Sequence, residues 1–211
     1  MRVQRKPTTV TEIFTLAALV AFGVYMLKAG HQRKRIALLG SYLGKYQIEK
    51  LMESLTEGYL RALGEKNADR QEQIWHLLEA TEAKLCGQFN SFVAEFSRVD
   101  EADARVSRLA LALPYADKLF PGATFDLRKL LAIHAEGITN AANNTQARAA
   151  KSKAFTLSAE LLLMQHSCHW FCKSKAVASA RVLVRHKTPH AQLLASVAPD
   201  TARAYAALVG A

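Results

Sequence analysis

Apolar and polar positions alternate along this chain with helical periods almost everywhere. The first feature is a run without charge over residues 13–27, Ile-Phe-Thr-Leu-Ala-Ala-Leu-Val-Ala-Phe-Gly-Val-Tyr-Met-Leu. At about 1.5 Å per residue it covers roughly 22 Å, short of a ~30 Å hydrocarbon layer. Extension from Pro7 to Ala29 supplies the missing length and brings in Glu12 and Lys28 near the ends. Charged groups at those positions reach the interface, where they cost far less than at the bilayer centre. The pattern predicts a transmembrane helix over about residues 10–28, in contact with membrane lipid. Two other readings compete. Arg2, Arg5 and Lys6 before an apolar run suit a signal peptide, whose best cleavage candidate is Ala21-Phe-Gly23. A buried core helix of 10–14 apolar residues is the third.

After this run the period stays helical. Ile48, Leu51, Met52, Leu55, Tyr59 and Leu63 fall on one face, with Glu49, Glu53 and Glu57 on another. That predicts an amphipathic helix over about 41–64, preceded by a hinge at Gly40 and Gly44. The stripe Ile74, Leu77, Leu78, Thr81, Leu85, Phe89, Phe92, Val93 and Phe96 predicts a second helix over about 70–98. The short turn at 64–69 makes the pair an antiparallel hairpin.

A third helix is expected over 101–113, closed by Pro114, and a fourth over 124–140, which carries His134 on its apolar stripe. The polar stretch 139–153 reads as a loop or a partly frayed helix, and a long helix follows over 154–187. Thr188-Pro189 and Pro199-Asp200 suit caps of short terminal helices. Arg181-Val-Leu-Val-Arg185 is the one brief alternation of strand type. The expected fold is all-α, one N-terminal transmembrane helix followed by a helical-hairpin or bundle domain.

Charge divides that picture. The chain has 211 residues and a net charge of +10. Residues 1–30 carry four basic and one acidic side chain, residues 31–142 carry 15 of each, and residues 143–211 carry nine basic and two acidic. This suggests an anchor (1–30), a charge-neutral helical bundle (31–142) and a basic helical segment (143–211) packed on the same domain. The basic candidates for interaction are Arg148, Lys151, Lys153, Lys173, Lys175, Arg181, Arg185 and Lys187. Anionic lipid, nucleic acid or an acidic protein face would suit them, and a plain solvated surface is the competing reading. Lys28, Arg33, Lys34 and Arg35 slightly outweigh the upstream flank, so the positive-inside rule favours a cytoplasmic C-terminal domain. Three cysteines without framework spacing, Cys86, Cys168 and Cys172, point the same way. The sequon at Asn143-Asn-Thr145 is then a chance match.

Candidate chemistry gathers late in the chain. Cys168, Cys172, His186 and His190 have the spacing Cys-x3-Cys-x13-His-x3-His, close to that of a zinc finger, with Leu183 where its core leucine would stand. The local pattern argues against it. The cysteines sit in a helical stretch rather than a hairpin, Ala176 occupies the aromatic core position, and Pro189 interrupts the histidine-bearing segment. The alternative is that both cysteines are small buried hydrophobes. His134 reads as a satisfied core histidine, because no nucleophile or carboxylate partner is identifiable. Phosphate loops, nucleophile elbows and metalloprotease motifs do not occur. With no catalytic constellation and no cofactor beyond that zinc candidate, the sequence favours a non-enzymatic, membrane-anchored adaptor or scaffold that recruits a protein partner. A membrane-tethered nucleic-acid-binding module, with or without zinc, is the alternative.

Overall fold

The computed structural model describes residues 10–210. The upstream flank with Arg2, Arg5 and Lys6, and the extension of the apolar run to Pro7, lie outside the described residues. The architecture is all-α, and 80% of the described residues are helical.

Helix α1 spans Val10–Leu43 without interruption. Its 18-residue apolar window has a mean hydropathy of 1.9, and none of that window is covered by the rest of the molecule. By length and composition this helix can cross a membrane. Partial coverage begins at Lys28, and the last third enters the core, where Leu39 is buried and Leu38, Tyr42 and Leu43 pack against it. The expected hinge at Gly40 is absent, because Gly40 continues the helix and accepts from Gly44 N at 2.9 Å. The chain turns over residues 44–47 instead.

α2 (Ile48–Gly64) and α3 (Ala68–Phe96) form the expected hairpin. Asn67 caps α3 by accepting from Arg70 N at 3.0 Å. Antiparallel register is fixed at three levels. Gln47 N donates to Gln88 Oε1 (2.7 Å), Tyr59 Oη to Glu82 Oε1 (2.6 Å), and Gln71 Nε2 to the Ala62 carbonyl (2.8 Å).

The expected third helix is reduced to one turn, α4 (Glu101–Ala104). Strand β1 (Arg105–Ser107) follows and pairs antiparallel with β2 (Thr124–Asp126), Val106 opposite Phe125. Between the strands lie an irregular segment and the one-turn helix α5 (Ala116–Leu119). Helical spacing here misled because Trp170 binds the extended backbone directly: its indole N–H donates to the Ser107 carbonyl at 2.9 Å.

α6 (Leu127–Ala142) starts at Asp126, whose carboxylate accepts from Arg128 N at 2.9 Å. α7 (Ala150–Cys172) runs through the middle of the domain. The expected helix over 154–187 is two helices, since Ser174 ends one and caps the next by accepting from Val177 N at 3.3 Å. α8 is Lys175–His186, α9 His190–Ser196 and α10 Pro199–Val209. Arg181–Arg185 is helical, not a strand. Pro189 is the cap residue of α9, and Pro199 occupies the first turn of α10.

A single core crosses the 142/143 charge boundary. Phe89, Phe92 and Phe96 of α3, Leu130 and Leu131 of α6, and Trp170 and Phe171 of α7 are fully or almost fully buried. Offset and edge-on ring pairs link them, with Phe125 and Trp170 at 5.0 Å and Phe96 and Phe171 at 6.4 Å.

Candidate functional site

The densest built site is where the uncovered part of α1 ends and the helical domain begins. Residues 10–27 are exposed throughout, and beyond them side chains of α1 meet the helical domain one by one. Gln32 accepts from Lys173 Nζ at 3.2 Å. His31 stacks on Tyr115 with ring centroids 5.5 Å apart and lies 3.9 Å from Asp117. Arg35 does most. Its guanidinium donates to the Phe171 carbonyl at 3.2 Å and to the Arg105 carbonyl at 2.6 Å. It also lies over the Phe171 ring at 5.1 Å and 4.0 Å from Asp117. The Phe171 carbonyl belongs to the last turn of α7, which has no intrahelical donor, so a cation there meets both the orphan acceptor and the helix dipole. One side chain thereby ties α1 to α7 and to β1. Burial draws the Arg35 and His31 pKa values down, and Asp117 opposes both shifts.

The four metal candidates are not brought together. Among the described residues, no three His, Cys, Asp or Glu side chains form a set that could hold a metal ion. Cys168 and Cys172 lie one turn apart on α7 and line an apolar cavity of about 200 Å³ with Leu39, Met52 and Met164. Cys168 is buried and donates to Met164 Sδ at 3.8 Å. Burial pushes the Cys168 thiol up to about 12 and the Cys172 thiol up to about 11, so both are neutral at physiological pH. His186 ends α8, where it flanks Arg181 and Arg185 in a different cleft. His190 opens α9 and faces inward, its ring 4.3 Å from that of His166 and its Nε2 3.2 Å from the Tyr205 hydroxyl. The physical reason is that α7 stays helical through both cysteines, while Pro189 sends the two histidines into different helices.

His134 does have a partner, which spacing alone did not reveal. Its Nε2 lies 2.8 Å from Ser167 Oγ, inside the core. Ser167 donates its own proton to the Leu163 carbonyl at 3.0 Å, so its oxygen accepts from His134. That polarity is the reverse of a base-activated nucleophile. Both residues are enclosed, at 0% and 1% exposure, which leaves no route for a substrate. Burial pushes His134 and His166 down to about 3, so both are neutral hydrogen-bonding core groups. His166 pairs with Ser179 across α7 and α8 at 3.0 Å.

The eight basic candidates fall into two groups. Arg148, Lys151 and Lys153 lie at the start of α7; Lys153 is half-buried and pairs with the buried Glu82 at 2.5 Å. Lys173 and Lys175 follow the end of α7; the first reaches Gln32, and the second covers the Trp170 ring at 5.1 Å. Arg181, Arg185 and Lys187 are exposed on α8 and its C-terminal cap, beside exposed Val177, Leu183 and Val184. Three of the basic side chains therefore have structural partners within the chain.

Arg35 and Asp117 are the site residues that spacing missed. The available signal was an arginine eight residues past the apolar run, on the helix face that also carries Leu38 and Leu39. Three comparisons bear on identity: no protein-family model, no curated protein and no solved structure matches the chain.

Proposed function

We propose that this chain is a single-pass, membrane-anchored helical adaptor, with α1 as the span and the remaining helices as a cytoplasmic docking domain. The observation that supports it is the contrast along α1: an 18-residue apolar window with nothing covering it, then a final third clamped into a core. An uncovered 18-residue window of this hydropathy would be a severe liability in water, and a bilayer is the solvent that suits it. The unbroken helix gives the domain a fixed place next to that bilayer. A docking role, rather than catalysis, fits the enclosed His134–Ser167 pair and the neutral thiols. The basic and apolar exposed face of α8 offers a surface for an acidic amphipathic partner.

The test has two parts. Reporters fused after Gly30 and at the C-terminus should both report the cytoplasmic side, and the protein should resist alkaline extraction from membranes. Cross-linking in intact membranes followed by affinity capture should recover a specific partner that is lost when Arg181, Arg185 and Lys187 are replaced by Glu. Release by alkali refutes the span, and an unchanged partner set in the charge-reversed variant refutes the docking face. Salt-sensitive binding of DNA or RNA by the solubilised protein would favour the nucleic-acid-binding alternative instead.

A further inference from the structure

Residues 109–120 read Leu-Ala-Leu-Ala-Leu-Pro-Tyr-Ala-Asp-Lys-Leu-Phe, between β1 and β2. The segment is unusual for a water-facing connection. Leu111 is 70% exposed, Leu119 65% and Phe120 50%, and Leu113 and Tyr115 are exposed as well. A cluster of large apolar side chains with this exposure marks an interaction site.

Its position says what covers it. Leu111 and Leu113 line the same small cavity as Lys28, His31 and Arg35 of α1. Lys28 is the first charged residue after the exposed apolar stretch 10–27. That stretch is about 27 Å long at 1.5 Å per residue, close to the ~30 Å thickness of a hydrocarbon core. If α1 spans, Lys28 lies at the edge of the hydrocarbon, and the leucines beside it lie at the same depth. The charges are arranged to suit. Asp117, the sole acid of the segment, is turned toward His31 and Arg35 and is 12% exposed. Lys118, Arg33 and Lys34 are exposed nearby, and Lys118 stands over the Tyr115 ring at 5.6 Å. What remains outward is apolar, aromatic and cationic, the composition of an interfacial membrane segment.

We infer that residues 109–120 form a second membrane contact, an apolar loop seated at the headgroup–acyl boundary of the bilayer that α1 crosses. The inference rests on the reading of α1 as a span. The occupant is lipid, because Leu111 and Leu113 stand beside Lys28, where the uncovered apolar run of α1 ends. Exposed Lys118 and Arg33 face the anionic headgroups, and the loop holds the domain against the membrane in one orientation.

The test uses the full chain in vesicles of phosphatidylcholine and phosphatidylglycerol. Nitroxides are attached at F22C, L111C, L119C and L77C in a C86A/C168A/C172A background. Leu77 is exposed on α3 and serves as the water-facing reference. The expected result is that labels at 22, 111 and 119 relax readily with oxygen and poorly with a nickel chelate, while the label at 77 does the reverse. Labels at 111 and 119 that behave like 77, with 22 still in lipid, overturn the loop contact and leave the span standing. A label at 22 that behaves like 77 overturns both. Labels at 111 and 119 shielded from both relaxers, with spin–spin broadening relieved by unlabelled chain, overturn the contact in favour of a second copy. A parallel measurement needs no substitution. The natural chain is photolabelled in the same vesicles with a diazirine on the phosphatidylcholine acyl chain. Adducts are expected in the tryptic peptides 109–118 and 119–128. Labelling confined to the α1 peptide overturns the inference even if the cysteine-free background fails to fold.

Discussion

Replacing Arg35 by Met tests how firmly the helical domain is joined to α1. The thioether fills most of the space of the guanidinium stem, so the change removes donors and charge more than packing. Two acceptors are stranded, the Phe171 carbonyl at the end of α7 and the Arg105 carbonyl entering β1. A hydrogen bond to a charged donor contributes about 1.5–3 kcal/mol, so two set a range of about 3–6 kcal/mol. The contact with the Phe171 ring is also lost, and Asp117 keeps only His31 nearby. Against this, burying a guanidinium carries a desolvation cost that Met avoids. The expected net loss is about 3 kcal/mol. A domain of this size loses roughly 2–4 °C per kcal/mol, so the melting temperature should fall by about 6–12 °C. The assay is a near-ultraviolet circular dichroism melt in detergent micelles at pH 7.5, with hydrogen exchange read over residues 105–120. Those amides should exchange faster in R35M, whereas membrane retention should not change, because residues 10–27 are untouched. Arg33→Met, at an exposed position of the same helix, is the control and should stay within about 0.5 kcal/mol. A melting shift below about 2 °C in R35M would refute the clamp.

Four further outcomes follow from the same geometry. His134 and His166 are held neutral with pKa values of about 3, below the ordinary 6.5, so the unfolded chain binds their protons first as pH falls. Their contribution is complete above pH 6.5 and is lost on the way down toward 3, about 1.4 kcal/mol per unit for each residue, or about 4 kcal/mol for both at pH 5. Glu160 works in the other direction, since burial raises its pKa and its contribution grows as pH falls toward 4.5. His134→Gln should remove about 2 kcal/mol of the stability lost between pH 7.5 and 5, read in thermal melts; an unchanged slope refutes the assignment. Gly137→Ala places a methyl 2.6 Å from Glu160 Oε2 and against the Thr201 hydroxyl, and should cost about 1–3 kcal/mol despite the better helix former. Its control is Gly87→Ala, where nothing stands within 4 Å and no stability should be lost. Leu19→Arg puts a charge near the centre of the proposed span at about 3 kcal/mol and should raise the fraction released by alkali; equal retention counts against insertion. Finally, Cys168 and Cys172 should resist iodoacetamide at pH 7.5 in the folded protein and react promptly in guanidinium, as mass spectrometry would report.

The sequence was most informative where one element answers to one period. The α2–α3 hairpin follows from its two stripes, because Leu51, Leu55, Leu85 and Phe89 bury along the faces their spacing marks. It was least informative where tertiary contacts override the local pattern. Residues 105–113 have apolar spacing suited to a helix, yet the Trp170 indole and the β2 backbone hold the first part extended. The break at Ser174 was hidden because serine is common within helices and only its cap geometry separates α7 from α8. The zinc-finger spacing of Cys168, Cys172, His186 and His190 does not carry into three dimensions, because α7 stays helical through both cysteines and the turn at Pro189 separates the histidines. The Arg35 clamp joins residues 136 positions apart, and no local pattern carries such a contact.

The unbroken course of α1 has a consequence in angle as well as position. A helix turns about 100° and rises 1.5 Å with each residue, so the length between residue 27 and Arg35 sets a compass bearing. Nothing between the apolar run and the clamp can absorb a twist, since Gly30 lies inside the helix and the first turn comes only after Leu43. One residue inserted at Ala29 would keep every contact of the domain and every apolar residue of the run. It would nevertheless swing the domain by about 100° around the helix axis relative to the apolar run. Two such helices meeting side by side would fix the facing of their domains in the same way. Residues 28–34 are thus a protractor, and their number, more than their chemistry, decides which way the domain faces.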